Sequence, residues 1–328
     1  MNVSCVRVAR EDGEATRQRL VEAGVLDHAH RITSVEGALY IPVTDSERVP
    51  DDLEVVTYDA PRRETQTTPA DILGYEPSLE RLGDIVIIDE DDPEKAREIA
   101  DAIVASDLKA DSVVNRASKI KGELRVRDWD VLVGDSTETV HKEYGHEFHL
   151  DIANVYFSPR LATERHRIIE QISPGEQVFD MFAGVGPYSI PAAAAGATVV
   201  ACDLNEAAID YLESNAERND VADRITAIHG DVREVADDYE GWADRLLMNL
   251  PHSANEFLDT AVRLAGDECI IHFYDIQHVD DPFGPGLEQI RAAAEPEYDV
   301  EVLTERVVRS YSPKEVNVCA DVRLTKRP

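Results

Sequence analysis

The chain has 328 residues, enough for two or three domains with a sizeable buried core, and its 66 acidic against 33 basic side chains leave a formal charge of −33. So acidic a chain repels phosphate as a whole; with only 7 lysines and with carboxylates spread through the helix-like segments rather than gathered into a tail, its surface is that expected of a salt-adapted cytoplasmic protein, where a local shortage of acid says more than the sum. Four isolated cysteines, Cys5, Cys202, Cys269 and Cys319, argue against a disulfide framework or a paired-cysteine metal site, and no apolar run of about 18 residues offers a membrane span or signal segment.

Residues 1–60 read as a small α+β unit. A strand "CVRVAR" is followed by a helix "EATRQRLVEAGVL" ended near Gly24, then by strands "RITSVEGALYIPV" and "LEVVTYD". The unit holds no catalytic constellation. Residues 61–78, rich in proline and threonine without a sustained period, are expected to form a linker in which part folds as a short helix. A second α+β unit over 79–150 has a strand "DIVIIDE", a helix opening at "DPEKAREIADAIVAS" with Pro93 in its first turn, and strands around "SVVNRAS", "LRVRDWDVLVG" and "TVHKEYGHEFHLD". From Asp151 to the C-terminus strands alternate with helices, the pattern of a doubly wound parallel sheet, so the fold class is α/β with two smaller α+β domains ahead of a Rossmann-like domain.

The third region carries the sharpest pattern. In "QVFDMFAGVGPYSIPAAAAG" an apolar strand ends at Asp180, and Gly184 and Gly186 let the backbone approach a ligand before a helix begins. The next strand ends at Asp203, placed to accept from ribose hydroxyls, and a third ends at Asp231 with Val232 behind it, suited to an adenine amino group and ring face. A dinucleotide site has a similar pattern, but Tyr188 replaces the third glycine and Asp180 is a poor neighbour for pyrophosphate. A cationic ligand, S-adenosylmethionine, fits that carboxylate better. Each aspartate alone also reads as a helix N-cap. After the fourth strand, "MNLPHSANEFL" sets Asn249 and Pro251 where the ladder stops; Pro251 as a strand terminator is the plain reading.

Two islands break the acidity. Between Asn115 and Arg127 stand Arg116, Lys119, Lys121, Arg125 and Arg127 against Glu123 alone, and Arg160, Arg165 and Arg167 follow Tyr156 and Phe157. Cations mixed with stacking surfaces suit unpaired bases, and Tyr156 is a candidate support for a flipped base.

The segments "HLDIANVYFSPRLATERHRI", "FDMFAGVGPYSIPAA", "DLNEAAIDYLESNAERN", "GDVRE", "MNLPHSANEFLDTA" and "VVRSYSPKEVNVCADVRL", with "NRASKIKGELRVRDWDVLVG" upstream, together resemble the archaeal and eukaryotic tRNA (guanine37-N1)-methyltransferase family. The resemblance implies a small N-terminal tRNA-recognition domain, a middle RNA-contacting domain and a class I methyltransferase domain with S-adenosylmethionine as methyl donor. It assigns Glu164 as the base for the guanine N1 proton and Arg125 as the cation beside O6; with a guanine pKa of roughly 9, exposing the lone pair near neutrality costs about 3 kcal/mol, which such groups reduce. Asn249 and Pro251 are expected to orient substrate or donor, and the donor site to comprise Arg165, Asp180, Phe182, Gly184, Gly186, Asp203, Leu204, Asp231 and Val232. The expected partner is tRNA, through its anticodon stem-loop and body, read by Arg116, Lys119, Lys121, Arg127 and Arg160, with the enzyme a cytoplasmic monomer that uses no metal. Two alternatives stay open: aminocarboxypropyl transfer to a modified tRNA guanine in the wybutosine pathway, and a non-catalytic RNA-binding protein that senses the donor.

Overall fold

The computed structural model describes residues 2–63, 66–119, 122 and 126–328. The chain divides into two compact units, Met1–Thr68 and Pro69–Pro328. In the first, β1 (Asn2–Ala9) lies at the centre of an antiparallel sheet with β2 (Thr33–Val35), β3 (Ala38–Pro42) and β4 (Glu54–Asp59), and α1 (Gly13–Glu22) covers one face. Val6, Leu20, Val25, Ile41 and Val43 form its own core. Residues 61–63 stay with this unit through the backbone bonds from Arg31 to Pro61 and from Arg63 to Ala29.

The second unit begins with α2 (Pro69–Leu73), inside the stretch read as linker. A four-stranded sheet follows in the order β5 (Leu79–Leu82), β6 (Ile85–Ile88), β7 (Ser112–Arg116) and β8 (Trp129–Val133), with α3 (Pro93–Ala105) on one face. Asp92 caps α3 by accepting from the Glu94 amide, and Pro93 takes the first position, where its missing N–H is harmless. The stretch "TVHKEYGHEFHLD" is a hairpin of β9 (Glu138–Glu143) and β10 (His146–Asp151), turned by Tyr144 and Gly145 at φ 46° and 89°.

The remaining elements are α4 (Ala162–Ile169), β11 (Gln177–Asp180), α5 (Ser189–Ala194), β12 (Thr198–Asp203), α6 (Glu206–Arg218), β13 (Ile225–His229), α7 (Val232–Val235), β14 (Ala243–Met248), α8 (Leu258–Leu264), β15 (Ala265–His278), α9 (Gly284–Ala294), β16 (Tyr298–Ser312) and β17 (Glu315–Lys326). Their seven strands make one sheet in the order β13-β12-β11-β14-β15-β17-β16. The first five are parallel, while β17 runs antiparallel between β15 and β16, so the sheet is mixed rather than wholly parallel. Strand-helix alternation cannot announce that closing hairpin, because its short turn is a local feature of the last two strands. The order reverses between β11 and β14, and ligands of open α/β sheets bind where it does.

One core joins the smaller sheet to the larger. Leu82, Ile85, Ile87 and Val114 share it with Phe148 and Leu150 of the hairpin and with Val178, Ile190 and Leu212. Residues 79–150 therefore fold onto the C-terminal domain rather than around a wholly separate interior. Asn215 of α6 locks the hairpin edge: its Oδ1 accepts from the His149 amide at 2.7 Å and its Nδ2 donates to the His149 carbonyl at 2.9 Å. Among the described residues no helix is long and apolar enough to cross a membrane.

Candidate active site

The C-terminal ends of the parallel strands gather the acidic residues. Asp180 ends β11, Asp203 ends β12 and Asp231 follows β13, all at one edge of the sheet. Asp180 is buried; Ser189 donates to its Oδ2 at 2.7 Å, while Oδ1 accepts no hydrogen bond among the described residues. Burial pushes this carboxyl up to about 7, against the Ser189 hydroxyl, and the nearby Asp203 charge adds to the rise. The loop beyond it turns through Gly184 and Gly186 at φ 53° and 89°. Asp203 holds that loop: it accepts from the Gly184 amide at 2.7 Å through one oxygen and from the Asn205 amide at 2.9 Å through the other. Each oxygen keeps a lone pair for a further donor, and burial leaves the carboxyl above its ordinary range despite those amides.

The apolar residues expected here divide. Leu204 is exposed beside Asp203, Val232 is buried, and Phe182 stands edge-on to Phe257 at 4.9 Å. Asp231 caps α7 through the Arg233 amide at 2.9 Å and also pairs with the Arg233 side chain, so the plain capping role is realised there. Tyr156 lies over the turn, its carbonyl 3.9 Å from where a Gly184 Cβ would stand, and Asn205 ties that crossing segment down through the Asn154 carbonyl at 2.8 Å. On the other side of the switch point, Met248 of β14 pairs with Phe273 of β15, so Asn249 follows at the level of Tyr274. Its carboxamide makes no hydrogen bond among the described residues, whereas the Pro251 carbonyl is pinned by the Ile276 amide at 3.1 Å.

Glu164 is not the solvated surface acid that its arginine-rich sequence context suggests. Its side chain is 3% exposed and receives Arg167 at 2.6 and 3.0 Å, the Tyr274 hydroxyl at 3.1 Å and Arg306 at 2.9 Å. Tyr188, from the glycine loop, donates to the Tyr274 hydroxyl at 2.9 Å, which links the loop to Glu164. Arg167 also meets Asp321 at 2.5 Å, and Asp321 accepts from His272 Nδ1 at 2.7 Å. Because Arg245 can only donate, its 2.6 Å contact makes His272 Nε2 the acceptor and the ring neutral. Burial and the Arg245 and Arg167 charges lower the His272 pKa, consistent with that state.

The arginines after Phe157 do not form one patch. Arg165 is buried and bidentate to Glu143 at 2.5 and 2.8 Å, with its guanidinium over the Phe157 ring. Arg167 likewise turns inward. Arg160 instead meets Glu80 at 2.9 Å, where it joins Arg116, which also bonds Glu80 at 2.5 Å and Asp89 at 2.7 Å. Arg127 stacks over Trp129 at 5.4 Å beside them, and Lys119 is exposed. Arg160 of the second island thus joins Arg116 of the first on Glu80, near Arg127 and Trp129, with Arg116 and Arg160 both already paired to carboxylates. Arg125 and Lys121 lie outside the described residues.

Residues 139–303 match the family model described as the TRM5/TYW2 methyltransferase domain. The chain belongs to the TRM5/TYW2 methyltransferase family. Residues 5–51 match the tRNA methyltransferase 5 N-terminal domain and residues 66–137 the TYW2 N-terminal domain. The chain is 42% identical to the tRNA (guanine(37)-N(1))-methyltransferase Trm5b of Pyrococcus abyssi, covering 98% of both. It is 36% identical to the tRNA(Phe) (4-demethylwyosine(37)-C(7)) aminocarboxypropyltransferase of Pyrococcus horikoshii, over 75% of this chain and 88% of that protein. A solved complex of aTrm5 and tRNALeu has a TM-score of 0.75 at 33% identity, covering 98% of this chain and 99% of that one.

Several residues that contact Glu164, Arg167 or Asp180 were not among the expected site residues. Tyr274, Arg306 and Asp321 reach Glu164 or Arg167 from β15, β16 and β17, and no local pattern announces a contact across more than a hundred residues. Ser189 carried a local signal, a hydroxyl at the helix start nine residues after Asp180. His272, Cys319 and Asp321 lie close enough together to suggest a metal site. The chemistry opposes it: both His272 nitrogens are engaged, Arg167 neutralises Asp321, and burial with the adjacent carboxylates of Asp321 and Glu164 holds the Cys319 thiol far above its ordinary range.

Proposed function

We propose that the chain transfers a methyl group from S-adenosylmethionine to N1 of guanine 37 in tRNA, in the cytoplasm of a salt-adapted cell. The carrying observation is the meeting, at one switch point, of a three-carboxylate strand edge with the Asn249 carboxamide, which makes no hydrogen bond among the described residues, and with the buried Glu164, which accepts from Tyr274. The site fits the donor: Asp180 offers an unpartnered oxygen to a cationic ligand, Asp203 retains lone pairs for ribose hydroxyls, and a ligand can approach the backbone at Gly184. When bound, the donor supplies an electrophilic methyl group on a sulfonium. Asn249 orients the guanine edge while Pro251, anchored to β15, fixes the loop. Glu164 takes the N1 proton, Arg125 stabilises the charge that develops on O6, and Tyr156 supports the base after it leaves the stack.

The cluster of Arg116, Arg127 and Arg160 with Trp129 supports a contact to the anticodon stem-loop, and the exposed Lys119 extends it. The relative named for aminocarboxypropyl transfer aligns with a smaller share of this chain, and the domain matched at residues 5–51 is that of the methyltransferases. Incubation with donor and unmodified tRNA, followed by mass mapping of the nucleotide, distinguishes a methyl from an aminocarboxypropyl product. Glu164→Gln is expected to lower single-turnover methylation about a hundredfold to ten-thousandfold while donor binding persists. A variant that methylates at nearly the wild-type rate removes Glu164 from the role of base.

A further inference from the structure

The four contacts on Glu164 divide two to each oxygen. Arg167 Nη2 and the Tyr274 hydroxyl meet Oε1, and Arg167 Nε and Arg306 Nε meet Oε2. A carboxylate so enclosed cannot receive a proton from guanine until one partner leaves. The partners differ in freedom. Tyr274 is fully buried and bonded to Tyr188, and Arg167, 19% exposed, is held by Asp321 at 2.5 and 3.1 Å. Arg306 is 44% exposed, stands on the edge strand β16, and pairs among the described residues with Glu164 alone.

The surroundings of Arg306 favour an anion. Between Glu305 and Glu315 the hairpin carries three cations, Arg306, Arg309 and Lys314, and no acid, in a chain of net charge −33. Tyr311 on the same stretch is 50% exposed. A guanidinium forms paired hydrogen bonds to phosphate as readily as to carboxylate, and withdrawing Arg306 leaves Glu164 still paired with Arg167 rather than buried as a lone charge.

We propose that Arg306 is a substrate-operated cap on Glu164: a backbone phosphate of tRNA on the β16–β17 hairpin draws the guanidinium off Oε2 and uncovers the carboxylate only when RNA is seated. The proposal rests on the reading of Glu164 as the base. Arg306 is thereby a positioning residue, coupling the hairpin surface to the site.

The test compares Arg306→Ala and Arg306→Lys with wild type in tRNA binding across a salt series and in single-turnover methylation at saturating tRNA. Arg306→Ala is expected to weaken tRNA binding about tenfold and to reduce the slope of log affinity against log salt by about one, the contribution of one phosphate contact. Its loss should fall on tRNA affinity, with the saturated rate within about threefold of wild type, and Arg306→Lys should restore most of the slope. Unchanged affinity and slope would show that Arg306 meets no phosphate. A saturated rate lowered tenfold or more by Arg306→Ala would make it a fixed support of Glu164; either result overturns the cap. Glu164→Gln, run alongside, separates the two readings: a wild-type rate in that variant removes the base itself, whereas a large loss with an unaltered Arg306→Ala slope removes only the cap.

Discussion

Asp180 shows how a single side chain can be placed against its own charge. Burial raises its folded pKa to about 7 from an ordinary carboxyl value near 4, so the folded state holds a proton that the unfolded chain releases between those values. The sign follows: stability from this group is full below the unfolded pKa and is lost as pH rises through about 7. Asp180→Asn, which cannot ionise, is therefore expected to stabilise the free protein at pH 8 by an amount on the order of 1 to 4 kcal/mol and to change little at pH 4, while weakening donor binding. Urea midpoints at the two pH values check this, and an equal gain at both removes the ionisation argument. Glu164 and Arg165 make a complementary case. They are neighbours on α4, yet one turns to Tyr274, Arg167 and Arg306 and the other to Glu143, because successive helical side chains point about 100° apart and each finds a different wall of the core.

At the scale of elements, the turn between β11 and α5 decides where a ligand can lie. Gly184 and Gly186 both have positive φ, but their surroundings differ. A Cβ on Gly186 would stand 2.9 Å from Ile190 Cδ1 and 3.3 Å from Leu212 Cγ, whereas at Gly184 the nearest atom is 3.9 Å away. Gly186→Ala should cost about 2 to 4 kcal/mol, from the left-handed backbone together with overpacking, and Gly184→Ala about 1 to 2 kcal/mol, from the backbone alone. Denaturant unfolding of the two variants measures the order, and a larger loss at Gly184 would contradict it. The hairpin β9–β10 was legible as strand, since its apolar residues alternate. Its fastening to α6 was not, because Asn215 is 66 residues from His149 and an asparagine within a helix carries no sign of its distant partner.

At the scale of the whole molecule, the first unit has a core of its own, and Ser189, Gly184 and Tyr274, which bond Asp180, Asp203 and Glu164 respectively, belong to the second. Deleting residues 1–68 is expected to raise the KM for tRNA about tenfold or more and to leave kcat within a few-fold, if this unit serves recognition of the folded tRNA. Steady-state kinetics with full-length tRNA decide it: loss of turnover at saturating tRNA by a folded 69–328 fragment would refute the division of labour.

Much of this architecture is local in origin. The strand-helix alternation after Asp151, the glycines that admit positive φ and the aspartates at successive strand ends each follow from neighbouring residues, so the sequence alone determined the Rossmann-like core and the edge that gathers its carboxylates. Tertiary structure decided which charges face that edge. Glu164 reads as a surface acid until α4 is laid against β15 and β16, and Arg165 and Arg167 read as free cations until Glu143 and Asp321 arrive from other strands. Periodicity reports which face of an element is apolar. It carries no record of which distant carboxylate will meet a guanidinium, since that depends on how separate elements cross and on the desolvation that only their crossing produces.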